Sequence, residues 1–379
     1  MQKNNSLTEI AKVFLKIGFI SFGGPAAHTA MMEEEIVTKR KWMDRQHFLD
    51  LVGATNLIPG PNSTELTMHC GHERAGWKGL VVAGISFIFP AVLLTCIIAA
   101  LYVNYGQLPA IAPILYGIKP AVISIIISAI YKLGKKALKN VQLGILGALV
   151  IAASFSGVNE ITAILGAGII GMFWFGITDK SKKSVKKALI PLLLLNGASA
   201  TTFASISGTK LFLVFLKIGA VLFGSGYVLV AYLDAELVEK LGWLTKQELL
   251  DAIAIGQFTP GPILSTATFI GYQIDGFTGA MAATAGVFLP SFFYVMILNP
   301  IIPKLRKSKF TASFLDSVNI GAVAVMIVVT INLSIEILVD YKVLLIMLAS
   351  IIVQFTVSKA NALWIVLGGA LLGYLLYMI

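Results

Sequence analysis

The sequence predicts an all-α polytopic membrane protein made of two inverted-topology repeats, with about ten spans and two re-entrant Pro-Gly-Pro hairpins. Three observations carry this. Of 379 residues, 57% are hydrophobic and only 13% charged, with mean hydropathy +0.86. That leaves too little polar surface to cover a soluble globule. The stretch 14–61 recurs as 215–262: FLKIGFISFGG becomes FLKIGAVLFGS, KRKWMDRQHFLD becomes KLGWLTKQELLD, and both copies end in Pro-Gly-Pro. The basic loops, finally, fall in places that orient the two copies oppositely.

Taken in order, the opening MQKNNSLTEIAK is polar, and the first apolar run carries Lys16 with a glycine pair behind it. No small-residue cleavage pattern follows, so a removable signal peptide is not expected. The arms 47–58 and 62–74 flank the first Pro-Gly-Pro, are each short of a full span, and carry Asp50, Glu65 and His69. They read as a re-entrant hairpin. Apolar stretches at 80–103, 111–130, 161–177, 281–302, 320–337 and 362–379 suit a hydrocarbon core that takes about 20 helical residues. The domains expected are an N-terminal repeat at 1–188, a linker or interfacial segment at 189–206, and an inverted C-terminal repeat at 207–379.

The net charge of +10 is concentrated in short loops at 132–139, 180–187 and 304–309. That is a positive-inside pattern rather than a nucleic-acid footprint. With those loops cytoplasmic, 80–103 ends outside at the uncharged 104–107, whereas its counterpart 277–302 ends inside. The loop 39–45 is basic and its mirror 234–251 net acidic. The halves therefore read as inverted.

Proline stops one helix and fits the first turn of the next, so each Pro-Gly-Pro points free backbone N–H groups into the membrane interior. Pro59-Gly60-Pro61 exposes those near Asn62, Ser63 and Thr64; Pro260-Gly261-Pro262 exposes those near Ile263, Leu264, Ser265 and Thr266. Such a terminus attracts anions, against the plain alternative of a structural kink. Gly23-Gly24-Pro25 and Gly224-Ser225-Gly226 break the first helix of each half, either for a ligand or for close helix packing. Asn56 and Gln257, three residues before each Pro-Gly-Pro, suit an oxyanion donor or a helix cap.

Two helix termini together supply about one positive charge, which does not balance a dianion. Lys16, Lys217 and Lys119 are the candidate balancing cations, with snorkelling to the interface the alternative for the first two. Glu33 and Glu35, mirrored by Asp234 and Glu236, are candidates for a coupled proton or are simply solvated. His69-Cys70-Gly71-His72-Glu73 has metal-ligand residue types, but the repeat reads Phe-Ile-Gly-Tyr-Gln and only Cys70 and Cys96 occur. No metal or cofactor is expected. Neither a Walker loop, a nucleophile elbow nor HExxH is present, so no enzyme is expected.

FLKIGFISFGGPAAH, EEEIV, WMDRQHFLDL, LIPGPNST, FLKIGAVLFGSGY, GWLTKQELLDAIAIGQFTPGP and ATFIGYQIDG together resemble the chromate ion transporter (CHR) family in its long, two-domain form. The resemblance covers nearly the whole chain. It implies a multi-pass plasma-membrane protein of a bacterium or archaeon that exports chromate; the inverted repeats themselves lead to the expectation of alternating access, one repeat rocking against the other. Its expected partners are a chromate- or sulfate-like oxyanion, the bilayer and, as one option, a second copy of the chain. The alternatives are a transporter of sulfate or another anion, or an anion channel. The family also contains single-domain proteins acting as oppositely oriented pairs. Members commonly have glutamine where this chain has Asn56, while Gln257 keeps it.

Overall fold

The computed structural model describes residues 7–22, 24–106, 108, 111–178, 207–223, 226–298, 308–357 and 361–378. Among them the chain is helical, without a strand. The first half contains α1 (Leu7–Ile20), α2 (Pro25–Met32), which runs on as a π-helical stretch Glu33–Lys39, α3 (Arg45–Thr55), α4 (Asn62–Tyr105), α5 (Ala112–Ala137), α6 (Val141–Phe155) and α7 (Glu160–Thr178). The second half repeats the order: α8 (Gly208–Val221), α9 (Leu229–Leu233) with its π-helical stretch Asp234–Lys240, α10 (Lys246–Phe258), α11 (Thr266–Leu298), α12 (Lys309–Ile337), α13 (Tyr341–Thr356) and α14 (Ala362–Tyr377). The segment 189–206, the basic run 180–187, and the end of the expected span 281–302 beyond Leu298 lie outside the described residues.

Helix starts follow local capping chemistry. Asp44 accepts from the His47 N–H at 2.8 Å to open α3, and Thr245 with Glu248 forms a capping box on α10. Among the described residues four helices, α4, α5, α11 and α12, contain stretches long and apolar enough to cross a bilayer. On α4 the exposed residues Val81, Ile85, Phe89, Leu93, Ile97 and Leu101 recur every fourth position. Leu80, Ala83, Phe87 and Ala91 are buried on the opposite side. One apolar stripe faces the helices and the other faces outward, as a lipid-exposed helix requires.

Neither α4 nor α11 is one straight rod. Ala75 (φ −144°, ψ 28°) and Gly76 (φ 60°, ψ −150°) interrupt α4, and Asp275 (φ −141°, ψ 33°) and Gly276 (φ 57°, ψ −147°) interrupt α11. The positive φ at Gly76 and Gly276 is open to glycine at little cost. Each break turns the chain back on itself. A Cβ added at Gly71 would lie 2.3 Å from the Gly79 carbonyl oxygen, and one at Gly271 2.2 Å from that of Gly279. Residues that far apart on a continuous helix would stand about 12 Å apart. The arm 62–74 thus packs antiparallel to the rest of α4, its partner in α11 doing likewise, with Thr268 and Thr284 hydroxyls 2.7 Å apart.

Ion pairs mark which ends meet. His47 at the start of α3 lies 3.3 Å from Glu73 at the end of the arm 62–74, so the two arms flanking Pro-Gly-Pro have their outer ends side by side. Glu9 at the start of α1 meets Arg40 at 4.0 Å and Arg74 at 3.3 Å, which turns α1 and α2 back to the same end. From there α4 runs to the far end of the molecule, where the Tyr102 hydroxyl donates to Asp251 of α10 at 2.7 Å. The starts of α3 and α10, equivalent in the repeat, therefore sit at opposite ends.

Helices approach closely through small residues, which is how packing is gained where lipid is as apolar as the side chains. A Cβ at Gly18 would meet the Phe87 carbonyl at 2.7 Å, and one at the equivalent Gly219 the Val287 carbonyl at 2.3 Å. Gly117 of α5 interlocks with Gly369 and Gly373 of α14, where an added Cβ would lie 2.0 Å from the Gly369 carbonyl.

Candidate functional site

Proline has no N–H, so glycine holds the one backbone donor within each Pro-Gly-Pro. That donor crosses to the other half. The Gly60 N–H donates to the Leu222 carbonyl at 2.6 Å, and the Gly261 N–H to the Ser21 carbonyl at 2.9 Å. Leu222 and Ser21 follow the ends of α8 and α1, where carbonyls lack helical partners. The bonds are reciprocal under exchange of the two repeats. Both glycines hold positive φ, 137° at Gly60 and 87° at Gly261.

The glycine breaks join this centre. Gly24 (φ 79°) is close to the Tyr227 hydroxyl, which an added Cβ would approach to 3.1 Å, and Gly226 lies beside Ile263 and Leu264. Gly23, Gly224 and Ser225 lie outside the described residues. Thr64 and Glu65 donate backbone N–H groups to the Pro61 carbonyl. The N–H groups of Asn62 and Ser63, and those of Ile263 and Leu264, come too early in their helices for an intrahelical acceptor. Pro61, Ser63, Pro260, Pro262, Ser265 and Thr266 are buried, and Pro59 partly so. The Ser265 hydroxyl lies 3.3 Å from that of Thr259, and the Thr266 hydroxyl donates to the Ile263 carbonyl at 2.8 Å.

The two amides differ. Asn56 is exposed; its Nδ2 donates to the Val52 carbonyl at 3.1 Å and its Oδ1 accepts from Asn62 at 2.8 Å. Gln257 is 7% exposed, and its Nε2 is buried without a hydrogen-bond partner. A buried amide donor left unpaired costs about 1–3 kcal/mol and calls for an acceptor.

Lysines and acids that the sequence placed in separate roles are partners of one another. Lys16 Nζ lies 2.8 Å from Glu35 Oε1, with Lys39 and Arg40 on the same carboxylate. Lys217 pairs with Glu236, the equivalent acid, and Lys240 joins at 3.5 Å. Lys119 lies 3.4 Å from Asp251 and donates to Gln247 at 2.7 Å. Glu33 meets Arg45 at 2.8 Å, while Asp234 is buried with Oδ1 unpartnered. Lys16, then Arg40 and Lys39, hold Glu35 down to about 2, below the usual carboxylate range, so it is ionised throughout the physiological range.

Two groups at the centre carried no role in the sequence reading. A Cβ added to Gly60 would lie 2.1 Å from Glu65 Oε1 and 2.4 Å from Ser291 Oγ. Both side chains are fully buried, and neither carboxylate oxygen nor the hydroxyl has a hydrogen-bond partner. Glu65 was visible as an acid in an apolar arm, but Ser291 comes from the other half and only the fold brings it there. No group of His, Cys, Asp and Glu fit to hold a metal occurs among the described residues.

Comparison with known proteins bears on this arrangement. The chromate transporter family profile matches residues 8–172 and again 209–374. The chain is 29% identical over 377 residues to the chromate transport protein of Cupriavidus metallidurans, covering 98% of this chain and 94% of that protein. It is 30% identical over 360 residues to the probable chromate transport protein of Synechococcus elongatus, covering 93% and 91%. YwrB, an uncharacterized transporter of Bacillus subtilis, is 29% identical over 185 residues, which are 47% of this chain and 92% of that protein. No solved structure matches.

Proposed function

This chain belongs to the chromate transporter family, and from that premise we propose that it is a secondary carrier of tetrahedral divalent oxyanions, chromate first among them. The anion sits where the two Pro-Gly-Pro turns and the two glycine breaks converge. The observation that carries this reading is the buried, unpartnered Nε2 of Gln257 beside a centre cross-linked by the Gly60–Leu222 and Gly261–Ser21 hydrogen bonds. The N–H groups of Asn62, Ser63, Ile263 and Leu264 supply further donors, and each helix start about half a positive charge.

The lysines act at a distance in this reading. Lys16, Lys119 and Lys217 each face a carboxylate. They hold the surrounding helices in register, and the anion is met chiefly by neutral donors and helix termini.

The equivalent starts of α3 and α10 lie at opposite ends, which supports inverted repeats whose Pro-Gly-Pro hairpins enter from opposite membrane faces. The end of the molecule carrying Lys132, Lys135, Lys136 and Lys139 is cytoplasmic in this topology. Residues 1–188 and 207–379 are then the two repeats, and alternating access comes from rocking one against the other. Outward movement of chromate is what the family resemblance implies.

Counterflow tests the proposal. Labelled chromate should enter proteoliposomes faster when unlabelled chromate is trapped inside; a channel gives no such acceleration. Absence of any chromate or sulfate flux would discard the reading.

A further inference from the structure

Glu65 has no partner for its charge. It lies on the arm 62–74 against Gly60, fully buried, with neither carboxylate oxygen hydrogen-bonded. The titratable groups on its own helix and on elements packed against it are otherwise engaged or remote. His69, one turn along, is buried with a contact of its own, and Glu73 meets His47 of α3. On α1, Lys16 is held by Glu35, and Lys12 lies at the outer end with Glu9 and Arg40. The His28 Nε2 of α2 is 3.2 Å from the Ser21 carbonyl. On α3, Asp50 receives Gln46. Asp251 of α10 is held by Tyr102 and Lys119. On α11, the Tyr294 hydroxyl donates to the Ala220 carbonyl and Asp275 receives the Thr278 hydroxyl at the outer turn.

A carboxylate in this place, with no cation and no donor, bears the full cost of an unpaired buried charge. A dianion arriving at the neighbouring turn would raise that cost by repulsion between like charges. With a proton on Glu65 the repulsion disappears, and Ser291 Oγ stands beside the neutral acid. Proton and anion therefore favour each other's binding.

Resting on the oxyanion-carrier reading, we infer that Glu65 takes up one proton with each dianion and releases it with the anion on the opposite side. The proton comes from water on the side where the site is open and returns to water on the other, so no other group need retain it. The cargo, one dianion with one proton, carries a single negative charge. A potential negative inside drives it outward, and an acid exterior drives it inward. This assigns the coupled ion to a residue unlike the acids Glu33, Glu35, Asp234 and Glu236, three of which are paired with cations.

The test uses full-length protein in proteoliposomes, with potential clamped at zero and labelled chromate at alkaline pH, where it is a dianion. Wild type should accumulate chromate in the alkaline lumen to about tenfold per unit of pH gradient, the ratio for one proton. Glu65→Gln should still exchange labelled for unlabelled chromate, at a rate that no longer varies with pH, and should accumulate none under the gradient. Gradient-driven accumulation by Glu65→Gln equal to wild type overturns the inference. So does loss of exchange together with accumulation, which makes Glu65 a packing or binding group. Wild-type exchange without any response to the gradient overturns it too, leaving the carrier reading intact. Absence of exchange in wild type is the separate outcome that removes the carrier reading first.

Discussion

The backbone N–H of Gly261 donates to the carbonyl of Ser21 at 2.9 Å, joining the middle of the second repeat to the first helix break of the first. Its counterpart, Gly60 to Leu222, makes the same connection in reverse. Each half thus completes the backbone hydrogen bonding of the other at the point where the first helices of both halves are broken. Neither unpaired carbonyl would be satisfied by lipid.

Lys119 and Asp251 lie 3.4 Å apart, with side chains 17% and 5% exposed. Removing one partner leaves the other charge buried and uncompensated, at about 3–5 kcal/mol. Lys119→Met should lower the thermal midpoint strongly, and Lys119→Met with Asp251→Leu should recover much of it. Equal instability of the double and single variants, measured by fluorescence-detected unfolding in detergent, would show that the pair does not act as a unit.

Lys39 and Lys240 occupy the same repeat position, at the ends of the two π-helical stretches. In cysteine-free protein, Lys39→Cys should react with an impermeant maleimide from the cytoplasmic face and Lys240→Cys from the outer face. Labelling of both from one face contradicts inverted repeats.

Gly117 has no room for a side chain against Gly369 and Gly373. Gly117→Leu should separate α5 from α14 and lower the yield of monodisperse protein, whereas Gly157→Ala, at a turn with nothing within 4 Å, should cost only the strain of its φ of 85°. Comparable yields from Gly117→Leu and wild type would refute this packing.

The amides predict an asymmetry. Gln257 is buried with a free donor, while Asn56 is exposed and already bonded to Val52 and Asn62. A hydrogen bond to a charged group contributes about 1.5–3 kcal/mol. Gln257→Ala should therefore weaken half-saturation by chromate about tenfold or more, and Asn56→Ala much less. Equal losses would place the two amides in equivalent roles.

Much of this was legible in the sequence because broken helices carry residues with few other uses. Pro-Gly-Pro announces a stop and a restart, and its recurrence placed both turns. The backbone reversals at Gly76 and Gly276 were not legible, since a glycine within an apolar run is equally compatible with a continuous helix. Their recurrence at equivalent positions was the unused signal. The Lys16–Glu35 and Lys217–Glu236 pairs also escaped, because their spacing matches no single-helix rule. They form only once α1 and α8 turn back at the glycine breaks. Ser291 beside Glu65 depends on contact between the two halves, which local patterning does not encode.

In the proposed carrier the crossed Pro-Gly-Pro turns and Gln257 form the oxyanion site. Counterflow of labelled chromate through Gln257→Ala and Gly261→Leu tests this placement most directly, because in the second even the added Cβ would crowd Ala91 at 3.0 Å and the φ of 87° is strained. Both variants should purify as folded protein, Gly261→Leu losing exchange and Gln257→Ala exchanging only at chromate concentrations about tenfold or more higher. Wild-type exchange in both would contradict it.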